Sequence, residues 1–207
     1  LPKALVNYLA RLGWSHGDDE IFSSEQLIEW FDLESINRAP AKFNPEKLQW
    51  LNQHYLKAEA IADIAHLTIP FLEKDNCVIS NREYLHKVVN LLKDRVSTIS
   101  ELADAAVYFF RVLAPSEELR TQHFNDETKT ILTFLMDRFS SINWDKQLIH
   151  DEIKNTATAF DVKLHKIAMP LRVAITGEVH TPSIDAVLEI LGKSETLDRL
   201  NRQIATL

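Results

Sequence analysis

An all-α protein is predicted by three observations. Only four glycines and seven prolines interrupt the 207 residues. Apolar residues recur at three- and four-residue spacings almost throughout, the period of a helix with one buried face. Capping residues stand in front of several of these runs, and no stretch reads as a strand.

The elements follow in order. A first helix over 3–12 ends at Gly13, with a turn at Gly17, since glycine accepts the left-handed backbone that closes helices. Ser23 with Gln26 forms a capping box and opens a helix over 23–31. Asn44 followed by Pro45 places a capping side chain before a proline at the first helical position, opening 44–57. Ser80 with Glu83 reads as a second capping box, for 80–95, and further helices are expected over 98–110, 116–139, 144–160 and 163–175. Thr181-Pro182 repeats the pattern of Asn44-Pro45 and opens 182–191, which Gly192 ends; a helix over 194–204 closes the chain. Thr68-Ile69-Pro70 and Ala114-Pro115-Ser116 mark changes of helical layer, and sub-domain joints are expected near residues 58 and 116, giving blocks 1–58, 59–116 and 117–207.

Composition narrows the function. With 45% hydrophobic and 26% charged residues the chain can fill a core and is not of the disordered class. Its single cysteine, Cys77, cannot form an internal disulfide and fits a reducing compartment; no Cys/His cluster has zinc spacing. No apolar run is long enough to span a bilayer, so neither membrane nor metal is expected as a partner.

No constellation reads as catalytic. Asp18-Asp19-Glu20 reads as a solvated acidic loop, and further ligands at fixed spacing are lacking for a metal. Cys77 has no basic neighbour to lower its pKa, and no glycine-rich phosphate loop is present. His123, His150 and His165 sit among charged residues, as surface helix positions do. Trp14, Trp30, Trp50 and Trp144 invite a base-stacking role, but the apolar residues beside them favour core packing for each.

The formal charge of -7 opposes general nucleic-acid binding, which depends on neutralising phosphates. Local islands are another matter. Val162 to Gly177 holds Lys163, Lys166 and Arg172 with no acid, and Ser80 to Val96 holds Arg82, Lys87, Lys93 and Arg95 against Glu83 and Asp94. Such islands on an acidic body permit binding at a few points.

The opening Leu1-Pro2-Lys3-Ala4-Leu5-Val6-Asn7-Tyr8-Leu9-Ala10-Arg11-Leu12-Gly13-Trp14, then Phe43-Asn44-Pro45-Glu46-Lys47-Leu48-Gln49-Trp50-Leu51, resemble consecutive segments of the bacterial glutamyl-tRNA synthetase family. Met169-Pro170-Leu171-Arg172-Val173-Ala174-Ile175-Thr176-Gly177, Thr181-Pro182-Ser183 and Leu188-Glu189-Ile190-Leu191-Gly192-Lys193 extend the resemblance to the last third. The family's His-Ile-Gly-His-like and Lys-Met-Ser-Lys-Ser-like motifs are absent from this sequence. The resemblance therefore implies the end of the stem-contact region (1–58) and two helical anticodon-binding sub-domains (59–116 and 117–207). Activation of glutamate with ATP and magnesium belongs to a catalytic domain outside these residues, so no catalytic residue and no cofactor is expected here. It also implies tRNA(Glu) as partner, no DNA, a monomer and the cytoplasm.

Six residues are carried over from the family. Arg95 matches an arginine set against the first anticodon base; read alone, it is a cation near a helix C-terminus, favoured by the helix dipole. Arg172 matches an anticodon-loop contact; read alone, it is a surface charge on a packed helix. Lys154 stands where an arginine can contact the third base, and lysine brings charge without the planar fork, so phosphate attraction suits it better. Thr181, Pro182 and Ile184 form a turn that similar enzymes place against anticodon bases; read alone, Thr181 caps a helix. An alternative for the whole chain is a helical protein-interaction module without RNA binding, though sustained heptads are lacking.

Overall fold

Twelve α-helices carry the fold in the computed structural model, which describes residues 1–37 and 40–206. Among the described residues the only extended pairing is the isolated bridge between Trp14 and Ile36. The last residue of the block 117–207 lies outside the described residues.

Three helices build the N-terminal end: α1 (Pro2–Gly13), α2 (Ser24–Trp30) and α3 (Pro45–Ala58). The capping box of Ser23 and Gln26 is formed, and Asn44 accepts from the Lys47 amide ahead of Pro45. Helices α1 and α3 enclose a small core of Ala4, Tyr8 and Leu51. Buried Asn7 joins this end internally: its amide donates to Glu20 O at 2.9 Å, and its carbonyl accepts from Tyr55 Oη at 2.7 Å.

The larger core runs from Leu56 of α3 to Leu200 and is built mainly by the helices that follow α3. These are α4 (Ile61–Lys74), α5 (Arg82–Leu92), α6 (Ile99–Phe110), α7 (Glu117–His123), α8 (Asp126–Ser141), α9 (Lys146–Ala159), α10 (His165–Thr176), α11 (Ile184–Leu191) and α12 (Lys193–Ile204). A short 3-10 turn, Lys93–Arg95, follows α5. Helix α4 packs most extensively on α6, and α8 on α12.

Four local expectations are corrected. Pro70 does not interrupt a layer but lies inside α4, a helix the sequence reading missed. A proline there removes one ladder bond, yet Ile64, Ala65, Thr68 and Leu72 are buried at helical spacing, and their packing outweighs the lost bond. The helix start near Ser80 is capped by Asn81, whose side chain accepts from the Tyr84 amide, so Ser80 and Glu83 form no capping box. The single helix expected over 116–139 is two, because Asn125 accepts from the Thr128 amide at 2.8 Å and starts α8 afresh after α7. Finally, α11 begins at Ile184 rather than Pro182. Its N-cap is Ser183, and Thr181 instead donates to Pro182 O at 3.0 Å.

Trp50 is also corrected: it is 45% exposed, because Leu51 takes the buried position of that turn. The Lys47 ammonium lies 4.6 Å from its ring centroid. Trp14 is buried and Trp144 donates to Leu188 O at 2.9 Å.

Candidate nucleic-acid interface

A polar concavity of about 370 Å³ opens where the 3-10 turn, α6, the end of α10 and the loop before α11 meet. Arg95, Tyr108, Arg172, His180, Thr181 and Pro182 line it, with Leu92, Val96, Ala105 and Val179 between them. Its size falls in the range of small-ligand sites.

Arg95 is presented by the turn that closes α5. The neighbouring Lys93 is spent on structure, its Nζ donating to Lys57 O at 2.9 Å, while Gln53 and Asn52 of α3 donate to Val96 O and Ser97 O. The turn is thereby held against α3. Arg95 itself is exposed and has no hydrogen bond or ion pair among the described residues.

Arg172 sits one turn before the end of α10 and holds the opposite wall. Its Nη1 donates to Val179 O and its Nη2 to Pro182 O, both at 3.4 Å, so one guanidinium clamps the loop that carries Thr181. Gly177 makes that loop possible. It caps α10 with φ of +74°, and a Cβ there would come within 3.0 Å of the Leu113 carbonyl oxygen. Both the left-handed backbone and the close approach require glycine.

The sequence-derived residues are thus brought together in part. Arg95, Arg172, Thr181 and Pro182 share the concavity. Ile184 does not line it; it is 6% exposed and packs in the main core. Lys154 is exposed on α9 and lines a separate concavity of about 460 Å³ with Thr158, Asp161 and Lys163. The helix end after Pro182 is less open to an anion than its sequence implies, since Asp185 accepts from the Ala186 amide at 2.9 Å and places a carboxylate there.

Tyr108 and His180 were missed by the sequence reading. His180 is exposed in the loop. Tyr108 is 3% exposed and lies within the apolar run Val107-Tyr108-Phe109-Phe110, where nothing sets it apart from core residues. Burial pushes its phenol well above the usual range, although the charges of Arg95 and Arg172 pull the other way. The hydroxyl is therefore neutral at any physiological pH.

Among the described residues no three His, Cys, Asp or Glu side chains are grouped to hold a metal ion, and no helix is long and apolar enough to cross a membrane. Glu20 of the acidic loop pairs with Lys47 at 2.6 Å. Cys77 is buried, and that burial raises its thiol pKa.

Comparison with known proteins finds similarity along the whole chain. Residues 44–204 match the family profile described as "Anticodon binding domain". Residues 1–50 match the one described as "tRNA synthetases class I (E and Q), catalytic domain". The chain is 61% identical over 200 residues to a glutamate–tRNA ligase of Nitrosomonas europaea, covering 97% of this chain and 43% of that protein. It is 60% identical over 206 residues to that of Nitrosospira multiformis, covering 99% and 44%. A crystal structure of a glutamate tRNA ligase from Elizabethkingia meningosepticum in complex with its amino acid superposes with a TM-score of 0.90 at 32% identity, covering 100% of this chain and 41% of that one. The chain spans less than half the length of the curated relatives it matches.

Proposed function

Because the chain belongs to the anticodon-binding domain family, we propose that it selects tRNA(Glu) by its anticodon for a glutamate–tRNA ligase. In this reading the activation of glutamate with ATP and magnesium, and its transfer to tRNA, are performed by catalytic residues outside this sequence, whose residues 1–50 match the catalytic-domain profile without the family's His-Ile-Gly-His-like and Lys-Met-Ser-Lys-Ser-like motifs. The chain works as a monomer in the cytoplasm.

The observation that carries the proposal is the meeting of Arg95, Arg172, Thr181 and Pro182 in one concavity from three separate parts of the chain. Loop bases of RNA can be splayed out and hydrogen-bonded along their edges, so a few placed donors suffice. That requirement is compatible with a net charge of -7. Arg95 reads the first anticodon base, its donor-only fork accepting some base edges and rejecting others. Arg172 and the Thr181-Pro182 turn contact the remaining bases. Lys154, in its separate concavity, attracts backbone phosphate, and Ile184 supports the turn from the core side.

Filter binding with glutamate tRNA and with an unrelated tRNA tests this directly. At low salt, where a few contacts are least screened, the chain should retain glutamate tRNA preferentially. Equal retention of both at every protein concentration would refute it.

A further inference from the structure

Arg95 has no hydrogen bond or ion pair among the described residues, so where its guanidinium reaches is set by the backbone beneath it. That backbone is pinned on both sides by one helix that does not line the concavity. Before Arg95, the Lys93 ammonium donates to Lys57 O at 2.9 Å and to Glu59 O at 3.4 Å, two carbonyls at the C-terminal end of α3. After it, Asn52 and Gln53, also of α3, donate to Ser97 O and Val96 O. The last carbonyls of a helix lack partners within it and form the negative end of its dipole. Charge as well as hydrogen bonding therefore holds Lys93 in place, and α3 itself packs on α1 at the N-terminal end.

We propose that Lys93 is a positioning residue for tRNA selectivity: its ammonium, clamped on the end of α3, fixes the turn from which Arg95 discriminates. The proposal rests on the reading above in which Arg95 faces the first anticodon base, and it adds a residue that acts without touching RNA. A guanidinium discriminates by the fixed directions of its donors. Such contacts fail when the supporting backbone drifts, since a productive geometry tolerates only about 0.5 Å. Without Lys93 the turn keeps only the Asn52 and Gln53 bonds after Arg95, and nothing on its near side opposes a swing about them. Selectivity then falls further than affinity, because the charge of Arg95 attracts phosphates whatever its direction.

The test compares the affinities of the 207-residue chain for glutamate tRNA and for a copy altered only at the first anticodon base. The wild-type chain should prefer the unaltered tRNA, and Arg95→Gln should remove that preference. Lys93→Met should weaken binding of both tRNAs through the charge it removes, and should also lower the preference by about fivefold. The double variant Lys93→Met with Arg95→Gln should discriminate no worse than Arg95→Gln alone, because Lys93 acts through Arg95. Lys93→Arg, which keeps a cationic donor beside the two carbonyls, should retain most of the preference. An undiminished preference in Lys93→Met would overturn the proposal, as would a loss in the double variant beyond that of Arg95→Gln. If Lys93→Met does not fold, Lys93→Gln takes its place; if neither folds, Lys93 belongs to folding and the proposal is overturned. A wild-type chain without preference, or a preference untouched by Arg95→Gln, would overturn the Arg95 reading itself.

Discussion

Arg199 on α12 donates from one nitrogen, Nη1, to Tyr108 O at 2.7 Å and to Ile175 O at 3.0 Å. Tyr108 belongs to α6, which lines the concavity, and Ile175 belongs to the helix that presents Arg172. Arg199 is 3% exposed and its Nε is paired with Glu195 at 2.6 Å. One buried cation therefore fixes the spacing of two walls of the site from behind.

Arg199→Met should keep the volume but leave both carbonyls without their donor. Removing one partner of buried hydrogen bonds costs about 1–3 kcal/mol for each group left unpaired. A loss of about 2–5 kcal/mol is expected in urea unfolding, together with weaker tRNA binding because Tyr108 and Arg172 lose their common anchor. Unchanged stability would show that the two helices are held by apolar packing alone.

Arg95→Gln separates recognition from folding. The side chain is exposed and bonded to nothing among the described residues, so the melting temperature should not move. Discrimination at the first anticodon base should fall by about 1–3 kcal/mol, by analogy with base-edge contacts in DNA. Affinities for tRNAs differing only at that base, measured before and after the change, decide it; an unaltered ratio would remove Arg95 from base reading.

How much of this was legible in the sequence follows from the physics of each element. The all-α class was legible because the helical period and the caps at Ser23, Asn44 and Gly192 act over a few residues. Helix α4 was not, because Ala60 supplies no side-chain cap and Pro70 argues locally against a helix that tertiary packing on α6 sustains. Arg95 and Arg172 were singled out through family resemblance, and both line the concavity. Tyr108 was not, because a residue's role in lining a site depends on which helices meet around it, and a tyrosine in an apolar run carries no local mark of that. The cap expected of Thr181 failed for a related reason. Arg172 holds Val179 O and Pro182 O, and the loop they belong to delays the helix by two residues.

Lys154→Ala addresses the residue that stands apart from the concavity. Its exposed position on α9, beside Lys163, suits a phosphate contact rather than a base contact. A phosphate contact weakens binding to every tRNA about equally and lowers the salt dependence, the slope of log K against log salt falling by about 0.7–1. Titrations at four salt concentrations with cognate and unrelated tRNA check both. A loss confined to the cognate tRNA would instead place Lys154 in base reading.

The acid limb of stability should depend on Asp185. Its carboxyl is mostly buried, which by itself raises the pKa. That effect is outweighed by the Ser183 hydroxyl, the Ala186 amide, Lys146 and His150, so that the pKa lies below its ordinary value of 3.8. His150 Nδ1 stands 3.3 Å from the carboxylate. A carboxyl with a depressed pKa in the folded state binds its proton more readily when unfolded, so it stabilises the fold above pH 3.8 and loses that contribution as the pH falls through the folded value. Asp185→Asn should therefore lower stability by about 1–2 kcal/mol near neutrality, the scale of a lost helix-start contact. The difference from wild type should narrow as the pH drops below 3.8. Melting temperatures of both proteins between pH 2.5 and 7 test this, and a gap that stayed constant across the range would mean that the carboxylate's charge does not stabilise the start of α11.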